Sequence, residues 1–187
     1  WRHALSHLVR HVRNNALQVV ALALGGMALL LLTLVRGDLL QGWQDKLPPL
    51  VRELDFISLH TYPVWEYKHV HDALHYSRDN YHSVASLYPD KPVVISEAGW
   101  ATNSNGRGIC PDNTSEELQA VYYRDLMAWT EQAGVLCFVF EAFDEPWKGS
   151  PDPLEPEKHW GLFSVDRAPK KVMRSRYPEL PGHRQTA

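Results

Sequence analysis

Val93-Val94-Ile95-Ser96-Glu97-Ala98-Gly99-Trp100 opens on three β-branched apolar residues and closes on an acid, a glycine and an indole. A short apolar run of this kind, preceded by Lys91-Pro92, reads as a buried strand. Upstream, Val70 to about Leu87 reads as a weakly amphipathic, His-rich helix. Before it, the β-rich run Leu54–His60 ends at Thr61-Tyr62-Pro63. Downstream, a polar loop from Ala101 to Asn113 leads to Thr114 or Ser115, either of which suits a helix N-cap. Glu116 and Glu117 then fall in the first turn, where the helix dipole favours acids. That helix runs to about Ala133 and stops at Gly134. Val135–Phe140 is a third buried strand. The order β-α-β-α-β, with near-continuous apolar strands, predicts a parallel sheet with helical crossovers.

All three strands end in polar, aromatic or acidic residues. In a (β/α)₈ barrel, strand C-termini line the active site. Glu97 sits at such an end, with a glycine leaving room beside it, and suits a nucleophile attacking an anomeric carbon. Its competing reading is a strand-end acid in a structural ion pair. Glu141, Asp144 and Glu145 form a second cluster at the end of the third strand, followed by Trp147 and Lys148. These acids suit hydrogen bonds to sugar hydroxyls; their spacing matches no EF-hand loop. Tyr62 is placed to donate to a carboxylate or a sugar, or simply to pack. His71 and His75 have helical ligand spacing but lack a convergent third ligand, so no metal site is expected. Asn113-Thr114-Ser115 fits an N-glycosylation acceptor.

The chain has 187 residues and a net charge of −3, so nothing basic points to nucleic acid. Seven Trp and eight Tyr supply flat surfaces suited to sugar rings as well as to a core. The two cysteines, Cys110 and Cys137, are expected to be free thiols. Residues 1–15 carry Arg2, Arg10 and Arg13 without an acid, and residues 16–35 are almost wholly apolar. Twenty residues of helix are long enough to cross a bilayer core. A membrane-anchored protein is therefore expected, with its catalytic part periplasmic or extracellular by the positive-inside tendency. The expected divisions are a basic segment and transmembrane helix over 1–37, a linker over 38–51, a partial barrel over 52–176 and a disordered tail over 177–187. A complete barrel usually takes about 250 residues, and the chain begins with Trp1 rather than Met. A fragment is expected.

Val93–Trp100 resembles the nucleophile strand of glycoside hydrolase family 17. Phe138–Lys148 resembles that family's eighth strand and following loop, His159–Phe163 its closing segment, and Leu54–Pro63 its sixth strand. The likeness spans roughly Leu54 to Lys170. It implies an α/β fold, a partial (β/α)₈ TIM barrel of about strands six to eight, here preceded by a single transmembrane helix. The activity implied is retaining cleavage or transfer of β-1,3-glucan without a cofactor. Glu97 would be the nucleophile, and Glu145 and Lys148 its active-site partners. Tyr62 would lie beside the sugar or the nucleophile, and Trp100 and Trp147 would contact sugar. The family places its acid/base glutamate after an asparagine, and no Asn-Glu dipeptide occurs in this chain. The implied partners are a β-glucan or oligosaccharide, the membrane through residues 16–35, and the missing barrel half. The alternatives are an inactive glucan-binding remnant and a membrane-linked transglycosylase.

Overall fold

A computed structural model describes Met27 and residues 47–180. The chain divides into two compact units, Trp1–Leu54 and Asp55–Ala187. In the first, residues 47–53 are helical.

The second unit holds three parallel strands, β1 (Ile57–Thr61), β2 (Val93–Ala98) and β3 (Cys137–Val139), in the order β1-β2-β3. Helix α1 (Val70–Leu87) connects the first two and α2 (Glu116–Ala133) the second two, while a short α3 (Lys171–Arg176) follows. The boundaries of α2 are set by local chemistry. Ser115 accepts a hydrogen bond from Leu118 N at 3.1 Å, capping the first turn. Gly134 takes a left-handed φ of 65° and closes the last turn.

Helices α1 and α2 cover one face of the sheet. Ile95, Ala98, Val64, Ala73, Leu126 and Trp129 form the core there. A buried polar chain threads through it. Asn80 donates to Thr61, Thr61 donates to Ser77, and Ser77 is 2.9 Å from the Tyr122 hydroxyl. These bonds tie β1 to both helices and satisfy groups that would otherwise be stranded. The opposite face carries Ser58, His60, Ser96 and Phe138, none of them buried. Among the described residues no strand pairs with the outer edge of β1 or of β3. Parallel sheets are ordinarily covered on both faces. A three-stranded parallel sheet with one bare face is a partial α/β fold and fits a fragment of a glycosidase.

The transmembrane helix expected ahead of this fold is overturned. No helix among the described residues is long and apolar enough to cross a membrane. The two longest, α1 and α2, have 18 residues each but are amphipathic, with acids in their first turns. Of residues 16–35 only Met27 is described; it is helical and exposed. The rest of that segment, residues 36–46 and the tail from 181 lie outside the described residues. An apolar run of sufficient length is necessary for a span and does not establish one.

Candidate active site

Strand β2 alternates until Ile95 and then breaks step. Leu59 pairs with Ile95, but His60 pairs with Glu97, so Ser96 is an extra residue. The same strand slips against β3 between Ile95 and Ala98. Regular alternation from the buried Ile95 would point Glu97 toward the helices. The bulge turns it to the bare face, beside His60, and leaves Ala98 buried. Re-aiming a side chain is a common use of bulges.

Two side chains of the β1 end converge on Glu97. The Tyr62 hydroxyl donates to Oε2 at 2.6 Å, and His60 Nδ1 lies 3.2 Å from the same oxygen. Burial pushes the Tyr62 phenol above its ordinary pKa, and the hydrogen bond to Glu97 and the nearby carboxylates Glu157 and Glu141 push the same way. Tyr62 therefore stays protonated and donates. Its ring meets Phe140 edge-on at 5.8 Å and Trp160 at 5.2 Å, and Trp65 lies behind Trp160 at 6.2 Å.

Phe140 joins this group to the second one. Its N–H donates to Ala98 O at 2.7 Å, immediately after Glu97 in the chain. Gly99 makes the approach feasible, since any Cβ there would overlap the Phe140 carbonyl. The Lys148 ammonium sits 4.6 Å from the Phe140 ring centroid. It binds Glu141 Oε2 at 2.7 Å and also contacts Glu145. Burial raises the Glu141 pKa, an effect that Lys148 partly offsets, while Lys148 lowers that of Glu145. Burial alone would lower the Lys148 pKa, but its two carboxylates outweigh this and raise it. The Phe140–Glu141 peptide is cis. Glu141 Oε1 and Trp160 Nε1 are buried and have no hydrogen-bond partner among the described residues.

Tyr62, which holds Glu97, and Lys148, which holds Glu141 and Glu145, thus both contact one phenyl ring. Trp147 follows them and is 73% exposed. Trp100 lies elsewhere. It is 1% exposed, packs on Tyr122 at 5.4 Å and donates from Nε1 to Asn113 O at 2.9 Å. Asn113 is itself buried, with Nδ2 donating to Lys68 O at 2.8 Å. On α1, His75 pairs with Asp79 at 3.2 Å. Three groups escaped the sequence reading. His60 was legible, being two residues from Tyr62 on one strand and hence on a shared side. Glu157, which acts electrostatically on Tyr62, and Lys170, which pairs with Asp144 of the acid cluster, carry no local sequence signal.

Comparison with known proteins adds an independent line. A glucan 1,3-β-glucosidase of Arthroderma benhamiae is 30% identical over 129 residues, covering 62% of this chain and 41% of that protein. A probable glucan endo-1,3-β-glucosidase of Aspergillus clavatus is 35% identical over 96 residues, covering 46% of this chain and 14% of that protein. An endo-laminarinase from Formosa superposes with a TM-score of 0.62 at 32% identity, over 70% of this chain and 40% of that one. A β-1,3-glucanosyltransferase of Rhizomucor miehei, solved with laminaritriose, gives 0.58 at 29% identity, over 65% and 43%. The chain therefore spans less than half the length of these relatives. The BtgE/BtgC glycoside hydrolase domain matches residues 25–161, starting inside the apolar run of residues 16–35. With its strands, its Glu97 and its lysine–carboxylate group all inside that match, the chain belongs to the BtgE/BtgC glycoside hydrolase family.

Proposed function

We propose that this chain is the C-terminal part of a retaining glycosidase acting on β-1,3-glucan, with Glu97 as the nucleophile. The observation that carries the reading is the Tyr62–Glu97 hydrogen bond at the sheet rim. It holds one carboxylate oxygen and orients the other for attack. In the first step, a Glu97 oxygen bonds to the anomeric carbon as the bond to the leaving sugar oxygen breaks. The leaving oxygen takes a proton from a second carboxyl group, which retaining enzymes place about 5–5.5 Å from the nucleophile. Water or another sugar hydroxyl then releases the glycosyl group and inverts the carbon a second time. Glu145, Lys148 and Trp147 bind the sugar in this scheme. Trp100 stays in the core and steadies the strand end.

The second carboxyl belongs to the part of the barrel that would cover the bare face of Ser58, His60 and Phe138. That missing half is the partner the fold calls for. Transfer in place of hydrolysis is the second reading, favoured by the likeness to the glucanosyltransferase.

The test does not need the acid. A 2,4-dinitrophenyl 2-deoxy-2-fluoro-β-laminaribioside carries a leaving group that departs unprotonated, and its fluorine slows release of the glycosyl-enzyme. Peptide mass spectrometry should find the sugar on Glu97 in the native chain and none in Glu97→Gln. A folded chain that binds the laminaribioside but acquires no adduct sinks the proposal in favour of a non-catalytic remnant.

A further inference from the structure

We infer that the buried Lys170–Asp144 ion pair is a positioning device, setting where the loop that bears Glu141, Glu145 and Lys148 stands relative to the strand end that bears Glu97. The inference rests on the glycosidase reading above and adds a pair that lies outside the sugar-contacting group.

Lys170 is 5% exposed and Asp144 9%. The Lys170 ammonium donates to Asp144 Oδ1 at 2.7 Å and to Thr102 Oγ1 at 2.9 Å. Asp144 Oδ1 also accepts the Gly161 N–H at 2.9 Å. Thr102 in turn donates to His159 O through its backbone at 2.9 Å and its hydroxyl at 3.1 Å. Four segments meet at this ammonium: the exit from β2, the loop after β3, the closing segment 159–163, and the start of α3. Asp144 stands between Glu141 and Glu145 in that loop. The loop backbone is pinned to the closing segment by Asp144 N to Phe163 O, Leu162 N to Glu141 O and Phe163 N to Ala142 O, each 2.9 Å.

A buried pair of this kind is a poor source of net stability, because desolvation offsets the attraction and apolar residues of similar volume often do as well. Its directional, charge-assisted bonds fix orientation, which apolar packing does not. A stabilising role and a positioning role therefore separate when the pair is replaced by hydrocarbon. The comparison sets the native full chain beside Lys170→Met and the double variant Asp144→Leu/Lys170→Met. Three quantities are measured: the unfolding midpoint, amide hydrogen exchange, and the kinetics of labelling by the fluorinated laminaribioside.

Lys170→Met should lose stability by stranding Asp144. The double variant should regain the native midpoint, yet exchange amides of residues 141–148 about tenfold faster while those of β1 stay unchanged. Its half-saturation concentration for labelling should rise about tenfold with the inactivation rate constant held within about threefold, the mark of lost binding and an intact nucleophile. A double variant with native exchange in 141–148 and native half-saturation overturns the inference. If the native chain never labels, the glycosidase reading falls and the exchange comparison alone decides on positioning. If the double variant fails to fold, Thr102→Val removes one acceptor without stranding a charge. Faster loop exchange in it supports the inference, and native exchange refutes it.

Discussion

The Tyr62 hydroxyl and Glu97 Oε2 are 2.6 Å apart, bridging 35 residues of sequence across two adjacent strand ends. Tyr62→Phe keeps the ring against Phe140 and Trp160 and deletes the donor. A hydrogen bond to a charged group contributes about 1.5–3 kcal/mol. Labelling of Glu97 should therefore slow by roughly 10- to 150-fold, with the thermal midpoint little changed. Equal labelling rates in Tyr62→Phe and native protein would remove Tyr62 from the site.

Trp100 and Trp147 should separate cleanly under mutation. Trp100→Ala empties a fully buried site and should destabilise by about 3–5 kcal/mol. Trp147→Ala touches an exposed side chain and should leave stability within about 0.5 kcal/mol while weakening laminari-oligosaccharide binding. Denaturant midpoints and a titration of oligosaccharide into each variant check both halves.

Two glycines differ in what they tolerate. A Cβ at Gly161 would overlap the backbone of Phe143, Asp144 and Phe163, so Gly161→Ala must push the carboxylate loop away and should sharply reduce both stability and labelling. Gly134 has nothing within 4 Å of such a Cβ, and its φ of 65° is the sole obstacle. Gly134→Ala should cost about 1–2 kcal/mol, the penalty of a left-handed alanine, and leave labelling intact.

Glu157 gives the pH prediction. Burial raises its pKa above 4.5, Glu155 adds to the rise and Lys148 opposes it. The native state thus favours the protonated acid, and the unfolded chain releases its proton first. Stability from this group is present below the ordinary glutamate value and is lost as pH rises through the folded pKa. Glu157→Gln should gain in thermal midpoint over the native protein at about pH 7 and gain little at about pH 4. An equal difference at both would show that ionisation of Glu157 is irrelevant to stability.

The thiols also differ. Burial pushes Cys137 up to about 12, while Cys110 is exposed. The thiolate is the reactive form, so a disulfide reagent at about pH 8 should modify Cys110 in the native chain and Cys137 after denaturation. Rapid native reaction at Cys137 would mean that β3 opens readily.

Where the sequence could be read, the signal was local. Ser115 followed by Glu116 and Glu117, and Gly134 after Ala133, mark the ends of α2 because caps act within a few residues. The strand-end acids stood out for the same reason. Contacts made through folding-back left no such mark. Trp100 is three residues from Glu97, yet the loop of residues 101–113 returns Asn113 to its indole and carries it into the core. Lys170 and Asp144 are 26 residues apart, and neither neighbourhood announces the other. The apolar run at 16–35 misled because counting apolar residues measures length and hydrophobicity but not destination.

The extra residue at Ser96 changes the parity of β2 partway along. Odd positions face the helices up to Ile95, and even ones do so from Ala98 onward. Leaving that one residue unpaired thus moves a carboxylate from one side of a layer to the other while β1 keeps its regular alternation. Were Ser96 to pair in step with His60 instead, the odd–even rhythm would run unbroken and drive the acid among the hydrocarbon side chains under the sheet, leaving a better-looking strand with no reactive group on its open side.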